Sequence, residues 1–117
     1  MNYVDGYLVP VPNANKETYV KLAQDMAALF KANGALQVVE CWGDDVPEGK
    51  VTSFPMAVQR KADETVVFSW VVWPSKQVRD DGMKQVMEHP SMQQGPSGMP
   101  FDGQRMIFGG FQVVVDV

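Results

Sequence analysis

Apolar residues along the chain follow two different patterns. Alternation with polar residues, or a short apolar run rich in valine and aromatic residues, is typical of a strand, whereas recurrence every three or four positions is typical of an amphipathic helix. The strand patterns cover residues 3–11, 35–42, 65–73 and 104–115. The helical spacing covers residues 16–33 and 76–88, and a short helix is predicted at 54–59.

This order of elements, β-α-β-(short α)-β-α-β, predicts an α+β fold of the ferredoxin-like, split βαβ type in one domain over residues 1–117. Its expected product is a four-stranded antiparallel sheet with both long helices on one face. Asn13 or Asn15, Ser53 and Ser75 stand where they can cap the three helices. Gly34 is suited to end the first helix in a left-handed conformation.

The third strand is apolar on both faces. Alternation places Phe68 and Trp70 on one face, and Val67, Val71 and Trp73 on the other. Two helices on one side leave the opposite face of such a sheet in water, where a large apolar patch is unfavourable. The pattern therefore predicts a homodimer whose sheets pack face to face, a dimeric α/β barrel.

Composition and charge narrow the classes of function. The 117 residues are 45% hydrophobic and 21% charged, and these fractions are typical of a folded domain. The formal net charge is -4. An acidic chain disfavours nucleic acid and anionic membranes as partners. The sequence has one cysteine, no signal-peptide pattern and no apolar run of membrane-spanning length, so we expect a cytoplasmic protein without disulfides.

Several collinear motifs carry a resemblance to a known family. They are Glu-Cys-Trp-Gly-Asp-Asp at 40–45, Phe-Ser-Trp at 68–70, Trp-Pro-Ser-Lys at 73–76, Pro-Phe-Asp-Gly-Gln-Arg-Met-Ile at 100–107 and Gly-Gly-Phe at 109–111. Together they resemble the DUF1428 family of small bacterial proteins. The resemblance implies a dimeric ferredoxin-like α/β barrel and no known reaction. The wider fold includes cofactor-free monooxygenases, haem proteins and small-molecule binders, and such an analogy is weak evidence for function.

Glu40 is the most interesting candidate for chemistry. Alternation places its carboxylate on the same apolar strand face as Val38 and Trp42. Burial raises the pKa of a carboxylate in such a place unless a cation or hydrogen-bond donors compensate. Glu40 is therefore a candidate general base or ligand contact, and a structural salt bridge to Arg105 is the more common alternative.

Arg105 and Asp5 are the other charged candidates. Arg105 enters the last strand after a turn, where it can grip a ligand carboxylate or pair with Glu40, Asp102 or Asp5. Asp5 shares a strand face with Tyr7, and this face is predicted either to line a pocket or to hold a satisfied interface carboxylate.

The remaining polar candidates favour structural roles. Asp44 and Asp45 suit a turn better than a cation site, and Cys41 is predicted to be a buried, inert thiol. His89, the sole histidine, is a weak catalytic or haem-ligand candidate, since a histidine after a helix is commonly a surface residue. We expect neither a metal nor a cofactor.

Aromatic residues supply the candidate ligand wall. They are Trp42, Trp70, Trp73, Tyr7 and Phe108. For the tryptophans and Phe108, packing in the core and the dimer interface is the more common alternative. The loop at residues 89–103 is a candidate lid.

Two functions follow from these residues. The first is a protein that binds a small apolar or aromatic ligand, or a non-catalytic accessory protein. The second is a cofactor-independent enzyme acting on a small aromatic molecule, with Glu40 or Asp5 as base and Arg105 as electrostatic stabiliser.

Overall fold

The computed structural model describes residues 1–92 and 99–117 as an α+β domain. Its strands are β1 (Tyr3–Pro12), β2 (Gln37–Trp42), β3 (Glu64–Trp73) and β4 (Ile107–Gln112). Its helices are α1 (Lys16–Ala32), α2 (Phe54–Ala57) and α3 (Lys76–Glu88), with single 3-10 turns at Asn13–Asn15 and Pro90–Met92.

The four strands form one antiparallel sheet in the order β2-β3-β1-β4. The main core joins side chains of β1 and β3 to Phe30 of α1 and Val86 of α3, so both long helices cover the same face. The predicted ferredoxin-like fold is confirmed. None of the helices among the described residues is long and apolar enough to cross a bilayer.

Two strands are shorter than the sequence pattern predicts. β2 begins at Gln37 rather than residue 35, and β4 covers Ile107–Gln112 rather than 104–115. The register explains why β4 ends before residue 115, because Gln112 is already paired with Tyr3, the first residue of β1. The valines after Gln112 therefore extend beyond the strand that β4 pairs with.

Helix capping agrees with the sequence at two of three helices. The hydroxyls of Ser53 and Ser75 each accept a hydrogen bond from the backbone N–H three residues later. The prediction that Asn13 or Asn15 caps α1 is wrong, because neither side chain accepts from the first turn. Asn15 instead donates to the carbonyl oxygen of Pro100, which ties the start of α1 to the segment before β4.

The opposite face of the sheet is largely uncovered. Phe68 of β3 is 45% exposed and Phe111 of β4 is 62% exposed. Trp70 lies on the same face and is only half-buried, whereas Trp73, on the helix-covered face, is completely buried. We call this uncovered surface the open face.

Close packing between α3 and the sheet depends on Gly82. A Cβ atom at this position would lie 2.5 Å from the carbonyl oxygen of Asn33 and 2.5 Å from a ring carbon of Trp73. Such distances are far inside van der Waals contact. The glycine therefore lets α3 approach both the end of α1 and the buried tryptophan.

We expect Gly82→Ala to lower the free energy of unfolding by about 1 to 3 kcal/mol, the usual cost of overpacking. Alanine for glycine within a helix otherwise adds about 1 kcal/mol of stability, so the sign of the change is informative. Gly103→Ala is the control, because its Cβ meets no atom within 4 Å. Urea unfolding of the three proteins measures the effect, and a Gly82→Ala protein as stable as the parent would contradict this packing.

Candidate functional site

A groove of about 280 Å³ lies between α1 and the edge strand β2. Most of its surface is apolar, and Glu40 is the one carboxylate among its lining residues. The α1 side chains are Tyr19, Val20, Ala23, Gln24 and Ala27, and the strand side chains are Val38, Glu40, Cys41, Trp42 and Val67. The groove combines the features of a small-ligand site, namely a largely apolar wall and a few polar groups, of which Glu40 is the charged one.

Glu40 of β2 is the polar anchor of the groove, and a hydrogen bond ties it to α1. The buried Tyr19 hydroxyl donates to Oε1 of Glu40 across 2.6 Å. Glu40 remains open to solvent on one side, but protein atoms crowd its carboxyl group. This crowding raises the pKa of Glu40, and the Tyr19 hydrogen bond opposes the rise.

The phenol of Tyr19 is held in its protonated form. Burial raises its pKa well above the ordinary value, and donation to Glu40 raises it further. Tyr19 therefore acts as a fixed donor to Oε1 of Glu40 at neutral pH.

Glu40 forms no ion pair in the part of the chain that the structure describes. The nearby cation is Lys16, whose Nζ lies 5.0 Å above the ring centre of Trp42 rather than against the carboxylate. The salt bridge from Glu40 to Arg105 that the sequence suggested is not formed. A carboxylate with a raised pKa and no paired cation remains in the groove.

Arg105 has a structural role at the start of β3. Its guanidinium makes two hydrogen bonds to Glu64, of 2.7 and 2.6 Å, and a third of 3.0 Å to Asp102. This contact lowers the pKa of Glu64. The Asp102 partner was expected, whereas the buried Glu64 was missed, because a single carboxylate at the start of a strand gives no sequence signal.

Asp5 is also satisfied by protein groups. The Nε–H of Arg79 is shared between the two oxygens of this buried carboxylate, at 3.1 Å from each, and a terminal nitrogen of Arg79 donates to it at 2.8 Å. Nε1 of Trp73 also donates to the carboxylate, at 3.0 Å. The carboxylate is therefore satisfied within the protomer, on the helix-covered face, and not in an interface as the second alternative supposed. Arg79 was missed, although it adjoins the apolar stripe of α3.

The candidate aromatic residues are spread over both faces of the sheet. Trp42 alone among the five borders the groove. Trp73 is in the core and Trp70 on the open face. Tyr7 and Phe108 are neighbours on β1 and β4, with ring centres 6.3 Å apart, and Phe108 is 72% exposed.

Tyr7 is nevertheless connected to the groove through the sheet. Cross-strand pairing joins Glu40 to Ser69 and Ser69 to Tyr7. Burial raises the pKa of Tyr7, and the negative charge of Asp5 adds to this effect more than that of Glu40 does. A row of polar side chains therefore runs from the groove toward the centre of the sheet.

The weaker candidates, His89, Cys41, Asp44 and Asp45, lie at exposed or partly buried positions. His89 is exposed at the end of α3, where Nδ1 lies 2.8 Å from the hydroxyl of Ser91. Cys41 is partly buried rather than fully buried. Asp44 and Asp45 lie in the loop after β2. Among residues 1–92 and 99–117, no group of three or more His, Cys, Asp or Glu residues is arranged to hold a metal ion.

The candidate lid, residues 89–103, includes positions 93–98, which lie outside the described residues. Its described end packs against the site: the ring of Phe101 meets Tyr19 edge-on, with centres 5.8 Å apart. Tyr19 therefore contacts Phe101 as well as Glu40. Its role was missed because a tyrosine in the apolar stripe of a helix resembles any core residue.

Replacing Tyr19 with phenylalanine tests the electrostatics of Glu40. We expect the Glu40 pKa to lie above 4.5 in the parent and to rise further in Tyr19→Phe, because the lost hydrogen bond favours the ionised form. A raised folded-state pKa means that this group favours folding at acid pH, and this contribution is lost as the pH rises through the folded pKa. NMR titration of the side-chain carboxyl carbon measures both values.

Glu40→Gln assigns the resonance in this titration by removing it. An unchanged or lower pKa of Glu40 in Tyr19→Phe would show that the hydrogen bond does not control the carboxylate.

Sequence comparison gives full-length relatives. The family model described as "Protein of unknown function (DUF1428)" matches residues 2–103. The Uncharacterized protein YbaA of Escherichia coli strain K12 is 52% identical over 116 residues, covering 99% of each chain. The protein of the same name from Shigella flexneri matches equally well.

Solved structures share the fold at low sequence identity. SnoaB, a cofactor-independent oxygenase from Streptomyces nogalater, aligns with a TM-score of 0.64 and 14% identity, over 99% of this chain and 96% of its own. A dimeric ferredoxin-like protein from an uncultured marine organism aligns with a TM-score of 0.62 and 10% identity, over 99% and 98%. The family model covers most of the chain and the relatives are 52% identical over its whole length, so the chain belongs to the DUF1428 family.

Proposed function

We propose that this protein is a homodimeric α/β barrel that binds a small aromatic molecule carrying a hydroxyl group in the groove between α1 and β2. The observation that carries the proposal is the Tyr19–Glu40 hydrogen bond in an apolar groove, where the carboxylate has no ion pair with any described residue.

The class of ligand follows from the lining of the groove. A volume of about 280 Å³ is at the lower end of small-molecule sites, which favours one or two fused rings. Trp42 and the α1 side chains supply apolar contact. Glu40 accepts hydrogen bonds and repels anions, so a neutral hydroxyl donor fits better than a carboxylate.

The open face supports the dimer. Phe68, Trp70 and Phe111 leave apolar area in water on one side of the sheet, and a second copy would cover it with an identical surface. A structural neighbour with the same fold is described as dimeric. Face-to-face packing of two such sheets would form a barrel with the helices outside.

Phe68→Asp tests the dimer. We expect the variant to raise the dimer dissociation constant at least about tenfold, because the interface would bury an unpaired carboxylate. Val51→Asp is the matched control, since Val51 is 97% exposed and lies in the loop between β2 and α2 rather than on a strand of the open face. Sedimentation velocity over a concentration series measures both. A monomeric parent protein, or a Phe68→Asp dimer of unchanged affinity, would refute the face-to-face assembly.

Ligand binding is tested with 1-naphthol, naphthalene and 1-naphthoate. We expect the parent to prefer 1-naphthol, and Glu40→Gln to weaken its binding about tenfold through loss of a charge-assisted hydrogen bond. Naphthalene, which has no hydroxyl, is the matched control and should bind both proteins alike. Calorimetry, with Trp42 chemical shifts as a reporter of location, measures these affinities. Equal changes for 1-naphthol and naphthalene would exclude Glu40 as the polar anchor.

Cofactor-independent oxidation of an aromatic substrate is the second candidate function. The raised pKa of Glu40 favours it, because such a carboxylate accepts a proton more readily than an ordinary one. Asp5 and Arg105, the other sequence candidates, are held by Arg79 and Glu64. The oxygenase SnoaB shares the fold, which by itself says little about chemistry. Binding of 1-naphthol without consumption of dissolved oxygen would favour the ligand-binding function.

A further inference from the structure

The motif that precedes β4 connects the beginning of α1 to the beginning of β3. Its residues 100–106, which we call the clamp segment, form neither a helix nor a strand. Irregular segments usually run over the surface of a protein. Here Pro100 is buried, and Phe101 and Met106 pack against a hydrophobic cluster that contains Tyr19. The clamp segment therefore places apolar side chains beside the helix that lines the groove.

The later half of the clamp segment is fixed to the start of β3. Arg105 donates two hydrogen bonds to Glu64 and a third, of 2.9 Å, to the carbonyl oxygen of Gln59. The carboxylate of Asp102 accepts from the backbone N–H of Gln104 and from Nε of Arg105, each at 3.0 Å. Paired hydrogen bonds between a guanidinium and a carboxylate define one geometry. This half of the clamp segment is therefore held in one place.

The earlier half of the clamp segment is fixed to α1. Nδ2 of Asn15 donates to the carbonyl oxygen of Pro100 across 2.9 Å. The next residue, Phe101, meets the Tyr19 ring edge-on, with ring centres 5.8 Å apart and ring planes at 74°. Edge-to-face contact is a preferred geometry of aromatic pairs. Asn15 directly precedes α1 and Tyr19 lies one turn into it, so the clamp segment grips the beginning of the helix.

Tyr19 links the clamp segment to the polar anchor of the groove. Its ring contacts Phe101, and its hydroxyl donates to Glu40. The hydroxyl is rigidly attached to the ring, so a contact that fixes the orientation of the ring also fixes where the hydroxyl lies. Without Phe101, the ring would gain freedom to turn, and the hydroxyl would spend less time on Oε1 of Glu40.

We propose that the clamp segment positions the polar anchor of the groove. Phe101, held through the hydrogen bonds of Asn15 and Arg105, fixes the Tyr19 ring. The hydroxyl of that ring then stays on Glu40. This inference rests on the proposed ligand binding and specifies what keeps its hydrogen-bond acceptor in place. Asn15, Phe101 and Arg105 act as positioning residues, because none of them is among the described residues that line the groove.

Phe101→Ala tests this role through the NMR titration of Glu40. We expect the Glu40 pKa to rise by at least about half as much as in Tyr19→Phe, because the hydroxyl leaves the carboxylate for part of the time. In a Tyr19→Phe background, Phe101→Ala should leave that pKa unchanged, since no hydroxyl remains to be positioned. A rise that persists in this background would overturn the inference.

Asn15→Ala is a second variant, which serves even if Phe101→Ala does not fold. It removes the hydrogen bond to Pro100 but leaves both hydrophobic cores intact. It also leaves the capping of α1 unchanged, because the Asn15 side chain makes no cap hydrogen bond. We expect the Glu40 pKa to rise in this variant too.

Met83→Ala is the matched control for lost packing. Met83 is half-buried, as Phe101 is, but it packs against the other hydrophobic core, which does not contain Tyr19. Urea unfolding should show that both variants are less stable than the parent, whereas Phe101→Ala alone should change the Glu40 pKa. Equal pKa changes in the two variants would indicate general loosening and overturn the positioning role.

Ligand affinity connects the clamp segment to function. The ratio of 1-naphthol to naphthalene affinity, measured by calorimetry, should fall about threefold in Phe101→Ala, because a mobile acceptor must be ordered on binding. The ratio should not change in Met83→Ala. A parent that binds no 1-naphthol refutes the proposed function, and the pKa comparison then decides alone whether the clamp segment positions Tyr19. An unchanged Glu40 pKa in Phe101→Ala and Asn15→Ala, or an unchanged affinity ratio where the parent binds, overturns the inference.

Discussion

Two helices are able to cover only one face of a four-stranded sheet, and the rest of this structure depends on that constraint. Phe30 of α1 and Val86 of α3 pack on the same side, where Trp73 is completely buried. The other side keeps Phe68 45% exposed. A monomer with these strands must therefore leave apolar area in water, and a self-complementary partner is the simplest way to remove it.

The same layer of helices decides which charged groups are available for chemistry. Asp5 lies under α3 and meets Arg79, and Glu64 meets Arg105 at the opposite end of the sheet. Each buried carboxylate of these pairs has a cation. Glu40 lies in the groove beside α1, and its partner there is the Tyr19 hydroxyl. Its position in an apolar groove, more than its residue type, separates it from the structural carboxylates.

The sequence predicted the elements well because their signals are local. Alternation and three- or four-residue spacing recover the sheet and both long helices, and Ser53 and Ser75 cap as expected. The site was only half predicted. Glu40 was identified from its place on an apolar strand face, but Tyr19, its hydrogen-bond partner, resembled an ordinary core residue. Asn15 was expected to cap α1 and instead binds the carbonyl of Pro100.

The sequence by itself determined the order of strands and helices, the family, and the fact that β3 is apolar on both faces. Each of these depends on residues that are close together in the chain or on collinear sequence motifs. The tertiary structure alone decided the partners of the charged groups. Asp5 and Arg79 are 74 positions apart, and Glu64 and Arg105 are 41 apart. Such pairs depend on how strands and helices meet in space, and among the described residues none of those contacts brings a cation against Glu40.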